Sequence, residues 1–350
     1  LDKTESKAMT HDDQLFLKQL QEDTEIVEAG SLQMPLPFKV RPHLPDNKDL
    51  TMQRIVKLRR QLLSNKAYCN DYFGFMNDII SSNHAEIAPP THQPGEAWYI
   101  PHFGVRHHKK PDKLRVVFDC SAKFSGTSLN DHLLTGPDQI NSLVGVLHRF
   151  RLGKVAVMGD IQRMFHSFLV KPCDRDYLRF FWFKYSSMKD IAEYRMCVHL
   201  FGARSSPGVA AFGLRKASEA AEDNNELGIR TRQLLQNSFY VDDAVMSLDT
   251  ETDVIKVINE AIRLCAAVNM RLHKWVSNSK AVLEAIPESE RAQTMNPVDF
   301  DSRSTPAERV LGIQWDTDTD IFQFVVEPNH NACTRRGILS SIASIFDPLG

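Results

Sequence analysis

The sequence predicts an α+β fold centred on a split βαβ sheet, and three stretches predict it. Residues 154–161 (KVAVMGDI) are a short β-branched run that reads as a strand. Residues 238–248 (SFYVDDAVMSL) read as two strands hinged on a tight acidic turn. Residues 252–270 place Val254, Val257, Ile258, Ala261, Cys265 and Val268 on one helical face, and 271–275 supply a last strand. Ahead of the hairpin, Ser206-Pro207 joins an N-cap to a proline at the first helical position, which predicts a helix to about Glu222. In order this is β, long insertion, α, β-hairpin, α, β, the split βαβ pattern. The insertion, 162–205, is expected to hold a hairpin of its own, YLRFFWF and EYRMCVHLF around a polar turn.

The outer parts of the chain follow from the same patterns. Residues 1–94 are polar and helix-leaning, interrupted by prolines at 35, 37, 42 and 45, and read as an N-terminal helical extension. Within them Ile55, Leu58, Leu62 and Leu63 make a helical repeat. After Pro89, Pro90 and Pro94 the pattern changes to short β-rich runs, WYIPHFGV and KLRVVFD, the two arms of an extended ribbon. That ribbon is basic. Between His102 and Lys123 six Lys/Arg stand against Asp112 and Asp119, a net +4 with three histidines added, which points to a phosphate-facing surface.

Composition excludes several classes. The 350 residues are 42% hydrophobic and 25% charged, enough for a sizeable core in two or three subdomains. No Gly/Ser or Pro-rich tract and no internal repeat occurs, and no apolar run approaches the ~18 residues of a membrane span, so no membrane partner is expected. Six scattered cysteines lack a C-x-x-C pair, so they read as buried thiols in a reducing compartment. The overall charge of −2 argues against a surface that coats nucleic acid throughout. The chain begins with Leu1 and not Met, the reading expected of a fragment or a piece of a polyprotein.

The split topology makes a geometric prediction. Its first two strands are parallel and the third runs antiparallel between them, so the end of strand one lies beside the turn joining strands two and three. Asp160 ends strand one, and Asp242 and Asp243 occupy that turn. Three carboxylates brought together repel unless cations neutralise them, and hard divalent ions take oxygen ligands. A pair of magnesium ions, with manganese as the alternative, supporting an in-line phosphoryl displacement fits that arrangement. An Asp-Asp pair alone is weak evidence, since Asp12-Asp13 occurs in the same chain.

These residues resemble the palm motifs of reverse transcriptases, and their wording resembles the BEL/Pao class of LTR retrotransposon polyproteins. The resemblance runs from about Pro101 to Gly350 through LRVVFDCSAKFSGTSLNDHLLTGPDQINSLVGVLHRF, DIQRMFH, FGARSSP, NSFYVDDAVMS, LHKWVSNS, VLGIQWD and SIASIFDPLG. It implies a right-hand polymerase: fingers and palm over 95–327, the palm an antiparallel sheet with helices on one face, and a partial thumb over 328–350 leading toward a Pao peptidase-type module. It implies that Asp160, Asp242 and Asp243 hold the metals and that Ile161 offers a backbone carbonyl. Phe165 matches the aromatic steric gate that selects deoxynucleotides, and Arg115 the arginine that grips the triphosphate, a role suited to a planar guanidinium. Arg106, Lys109 and Lys110 are alternatives for a second basic contact, with Lys109 taken as the candidate. Phe201, Gly202 and the Ser206-Pro207 corner match the loop that packs on the incoming base and template, in which Arg204 departs from the pattern. Lys274 matches the lysine that protonates the pyrophosphate leaving group. Leu311, Gly312 and Ile313 match the primer-grip hairpin.

The expected function is therefore RNA-directed DNA polymerisation by a retrotransposon enzyme. Its partners would be an RNA or DNA template with primer and a dNTP, and its place a cytoplasmic retroelement particle or the nucleus. A catalytically silent or co-opted fragment that binds nucleic acid is the alternative. A split βαβ RNA-binding module is a weaker one, because its strands would need stacking aromatics and Tyr240 alone is too little. Asp347 in FDPLG does not make an aspartic protease, which needs paired carboxylates in Asp-Thr/Ser-Gly loops.

Overall fold

Periodicity becomes structure most plainly where a strand must pair. The computed structural model describes residues 8–27, 30–107, 110–222, 225–292, 307–323 and 334–343, and gives a mixed α/β architecture of several small sheets. The chain forms two compact units, one of residues 1–139 with 163–213 and one of 140–162 with 214–350. This division differs from the 1–94, 95–327 and 328–350 scheme expected from the sequence.

In the first unit, helix α1 (His11–Asp23) opens on a capping box in which Thr10 and Asp13 bond reciprocally. Strands β1 (Glu25–Ile26) and β2 (Leu32–Met34) follow, then α2 (Lys48–Ser64), which carries the repeat of Ile55, Leu58, Leu62 and Leu63, and α3 (Lys66–Ser81). Ile55, Leu58 and Leu62 are buried, but Leu63 is exposed, one step off the apolar stripe. Strand β3 (Ala85–Ile87) is followed by β4 (His102–His107) and β5 (Lys110–Phe118), which pair antiparallel as the expected ribbon. A short helix α4 (Leu129–His132) completes this part.

The segment 163–213 adds a 3-10 turn (Met164–Ser167) and strands β7 (Leu169–Val170), β8 (Arg179–Phe183) and β9 (Ile191–Met196). β8 and β9 form the hairpin expected inside the insertion. β3 pairs with β9 and β2 runs parallel to β7, so the N-terminal segment supplies strands to the sheets of the insertion. Every residue of β8 is buried, in a core that stacks Tyr72 on Trp182 and Tyr99 on Phe181. Helix α6 (Ser206–Glu219) crosses from the first unit's residues into the second's. Ser206 is its first residue and not its cap; Val209 N–H bonds the Ser205 carbonyl.

The second unit contains α5 (Leu143–Phe150), β6 (Val155–Ile161), α7 (Glu226–Asn237), β10 (Phe239–Tyr240), β11 (Asp243–Leu248), α8 (Glu251–Ala266), β12 (Leu272–Ser277) and α9 (Lys280–Glu284). Its main sheet has the order β10-β11-β6-β12 with every neighbouring pair antiparallel. β6 and β10 are thus parallel with β11 between them, the split βαβ arrangement. α8 buries Val254, Val257, Ile258, Ala261 and Cys265 as its periodicity predicts, and its Thr250 cap accepts from Asp253 N–H. α5 packs Val146, Leu147 and Phe150 against Ala156 and Val245, and α7 and α8 also contact the strands. The same core takes in Val310, Ile313 and Trp315 from the sheet of β13 (Ala307–Val310), β14 (Ile313–Asp316) and β15 (Ile321–Gln323). Leu311 and Gly312 both have positive φ, the two-residue turn that suits a tight hairpin. Of the segment read as the thumb, only α10 (Arg335–Ala343) is described, and Asp347 lies outside the described residues.

Cys120, Cys197 and Cys265 are buried free thiols, but Cys173 is exposed and Cys69 half-buried, so the reading of all six as buried does not hold. No described helix is long and apolar enough to cross a membrane.

Candidate active site

The four strands of the second unit's sheet bring one residue each into a row. Tyr240 pairs with Asp243, Asp243 with Asp160, and Asp160 with His273. Directly opposed residues of antiparallel strands project to the same face, so Asp160 and Asp243 are neighbours there although 83 positions separate them. Asp242 sits in the turn with Val241, and its carbonyl accepts the Ile161 N–H at 2.9 Å, which ties the hairpin tip to the end of β6. Asp243 is the first residue of β11 and not part of the turn itself. Val241 has φ 59°, a conformation unusual for a β-branched residue, so the tip carries backbone strain next to the carboxylates.

Like charges meet in this row. Burial first, then the like charges of Asp242 and Asp160, push the Asp243 carboxyl up to about 7 against the lowering pull of Lys274. Asp160 is held by strand β12: Lys274 Nζ lies 2.6 Å from Oδ2, and His273 Nε2 lies 3.6 Å from Oδ1. Burial and the Lys274 charge lower the His273 pKa, favouring the neutral ring. Behind the row, Gly159 leaves room for the fully buried Trp275, whose ring a Cβ there would meet at 2.8 Å. His273, Gly159 and Trp275 were not singled out by sequence reasoning. The only local signal was their adjacency to Asp160 and Lys274, and the cross-strand pairing that gives it meaning is not local.

Three crowded carboxylates suit a hard divalent cation by the chemistry of the donor set. Among the described residues, however, no group of three or more His, Cys, Asp or Glu side chains is arranged to hold a metal ion. The Asp160 carboxylate is engaged by Lys274 instead. A cavity of about 500 Å³ lies at the far end of β11 between Arg149, Gly153, Leu248 and Asp253, and none of the three aspartates lines it. Asp160 and Asp243 are half-buried and Asp242 is exposed, apart from that cavity.

The remaining predicted residues fall in the first unit. Phe165 is half-buried in the 3-10 turn and its ring meets that of Phe201 at 5.8 Å, while Phe201 is 62% exposed. Gly202 has φ 123°, and a Cβ there would lie 2.4 Å from the Phe118 carbonyl oxygen. The close approach that requires this glycine is thus to the chain's own ribbon, and the Asn130 side chain bonds its carbonyl at 3.0 Å. The same Asn130 accepts the Arg204 N–H at 2.8 Å. Arg115 is exposed on β5 and makes no ion pair among the described residues. Arg106 is engaged by Asp71, and Lys109 lies outside the described residues.

No protein-family model matches the chain, and no curated protein matches it. Solved structures similar to it include the foamy viral protease-reverse transcriptase in complex with RNA/DNA hybrid, with TM-score 0.47, 12% identity, and coverage of 81% of this chain and 29% of that one. A dRH form of the foamy viral protein in complex with ds DNA gives TM-score 0.44 and 12% identity over 68% of this chain and 33% of that one. The CSH mutant of the prototype foamy virus protease-reverse transcriptase gives 0.43 and 13% over 59% and 24%. The chain spans between about a quarter and a third of the length of these proteins.

Proposed function

We propose that this chain is an RNA-directed DNA polymerase of the retroelement type. One observation carries the reading: the β6–β11 register sets Asp160 directly against Asp243, with Asp242 in the adjoining turn. Crowding of that kind disfavours folding unless protonation or a cation neutralises the charge, and the YVDD hairpin with an upstream aspartate has the wording of a polymerase palm. Asp160, Asp242 and Asp243, with the Ile161 carbonyl, would hold magnesium or manganese, which when bound supplies positive charge to the displacement at the α-phosphorus. Lys274 stands at hydrogen-bond distance from Asp160, within the same cluster, where a cation suits protonation of the departing pyrophosphate. Arg115, Phe165, Phe201, Gly202 and Lys109 are proposed as nucleotide contacts on the motif resemblance alone. The substrates would be a primed RNA or DNA template and deoxynucleoside triphosphates, acting in a cytoplasmic particle or the nucleus.

The test is primer extension on an RNA template with Mg²⁺, comparing the parent with Asp242→Asn. Extension by the parent and a loss of at least about 100-fold in the variant is expected, since a metal cluster of this kind is worth several kcal/mol to the transition state. Equal extension in both sinks the carboxylate assignment. The second reading, a catalytically silent nucleic-acid binder, is favoured by the engagement of Asp160 with Lys274; retention of primed template by both proteins with extension by neither would establish it.

A further inference from the structure

Consecutive residues of a regular strand point to opposite faces, yet His273 and Lys274 both approach Asp160. The cause is a bulge. On β12, His273 pairs with Asp160 and Val276 with Met158, so Lys274 and Trp275 together oppose the single residue Gly159. Lys274 takes φ 54°, the left-handed conformation that glycine usually fills at such a place, and Trp275 turns its ring onto Gly159. The extra residue thereby keeps the buried indole on one face and sends the lysine side chain back toward the carboxylate row.

We propose that Lys274 is the resident counter-cation of Asp160, occupying that carboxylate in the metal-free protein and displaced from it when a divalent ion binds. The proposal rests on the metal-binding reading of the site. Its ammonium is a compact point charge bonded at 2.6 Å to Oδ2, an oxygen that a metal would need. The lysine side chain is 56% exposed, so solvent can receive it when it leaves. A metal ion and an ammonium on the same carboxylate repel each other, which makes the two ligands exclusive. Displacement would leave the ammonium tethered by its fixed backbone beside the carboxylates, the place from which a proton donor to pyrophosphate would act.

Mn²⁺ alone is the probe, titrated into the full 350-residue chain and followed by loss of its free-ion electron paramagnetic resonance signal. Lys274→Met is expected to bind Mn²⁺ about fivefold tighter than the parent, the size an exposed ion pair commands, while Lys274→Arg stays near the parent. Lys274→Gln repeats the measurement should the methionine variant fail to fold. Binding by the parent with equal or weaker binding by both neutral variants overturns the displacement and leaves the metal site standing. No binding by the parent or any variant overturns both.

Discussion

In the first unit the Arg179 guanidinium is fully buried between Asp176 at 2.9 Å and Glu193 at 3.1 Å, and it also donates to the Pro89 carbonyl. Arg195 joins Asp176 to Glu86, and Arg175 reaches Glu86 as well. Although burial pushes the Glu86 carboxyl up, Arg195 and Arg175 hold it below its ordinary range. In the second unit Asp160, Asp242 and Asp243 converge with Lys274 bonded to Asp160, and the Asp243 carboxyl moves the other way, up to about 7. Both units gather ionisable groups on a sheet. The difference is that one cluster is closed by alternating charge, whereas in the other burial and the like charges of Asp242 and Asp160 act together to raise a carboxyl.

Arg179→Ala should cost about 3–5 kcal/mol in denaturant unfolding, because two carboxylates lose a fully buried partner. A cost below about 1 kcal/mol would show that the network is ornamental.

Acid provides the next largest effect. His102 and His199 are buried and His166 half-buried in the first unit, and each is lowered to about 4, chiefly by burial. They stay neutral in the fold while the unfolded chain takes up protons below its ordinary value near 6.5. Their contribution is therefore complete above pH 6.5 and disappears as pH falls from 6.5 to 4, by at most about 3 kcal/mol per histidine. Hydrogen exchange of β8 and β9, corrected for the intrinsic pH dependence, should show protection falling through that window; constant protection would rule out buried neutral rings.

Gly202→Ala should destabilise the first unit. The positive φ and the clash with the Phe118 carbonyl should cost about 1–3 kcal/mol, read as a lower thermal midpoint. Asp243→Asn is expected to have the smallest effect, and the opposite sign. Removing one charge from the crowded row should raise the midpoint at pH 8 by about 2–4 °C while abolishing primer extension. A fall in midpoint would mean that the carboxylates stabilise the fold.

The elements of the central sheet were legible in the sequence. The KVAVMGDI run, the YVDD turn and the apolar face of α8 are local patterns, and strands and helices follow from local periodicity. The meeting of Asp160 with the acidic turn was also within reach, because the split order of elements permits few topologies. The N-terminal third was less so. Leu63 looked like core and is exposed, and the strands Leu32–Met34 and Ala85–Ile87 are too short to announce themselves before their partners arrive.

What the sequence alone determined is which residue types are present and where the chain turns: three aspartates, a β-hairpin to carry two of them, and a lysine downstream. Only the tertiary structure decided their relations. It sets Lys274 on a bulge where it reaches Asp160, lines His273 up across from that aspartate, makes Gly202 necessary because of a carbonyl 84 residues away, and closes the charges around Arg179. The physical reason is common to all four. Conformational preference is settled within a few bonds, whereas register, ion pairing and steric contact depend on segments that meet only after burial of the apolar core has brought them together.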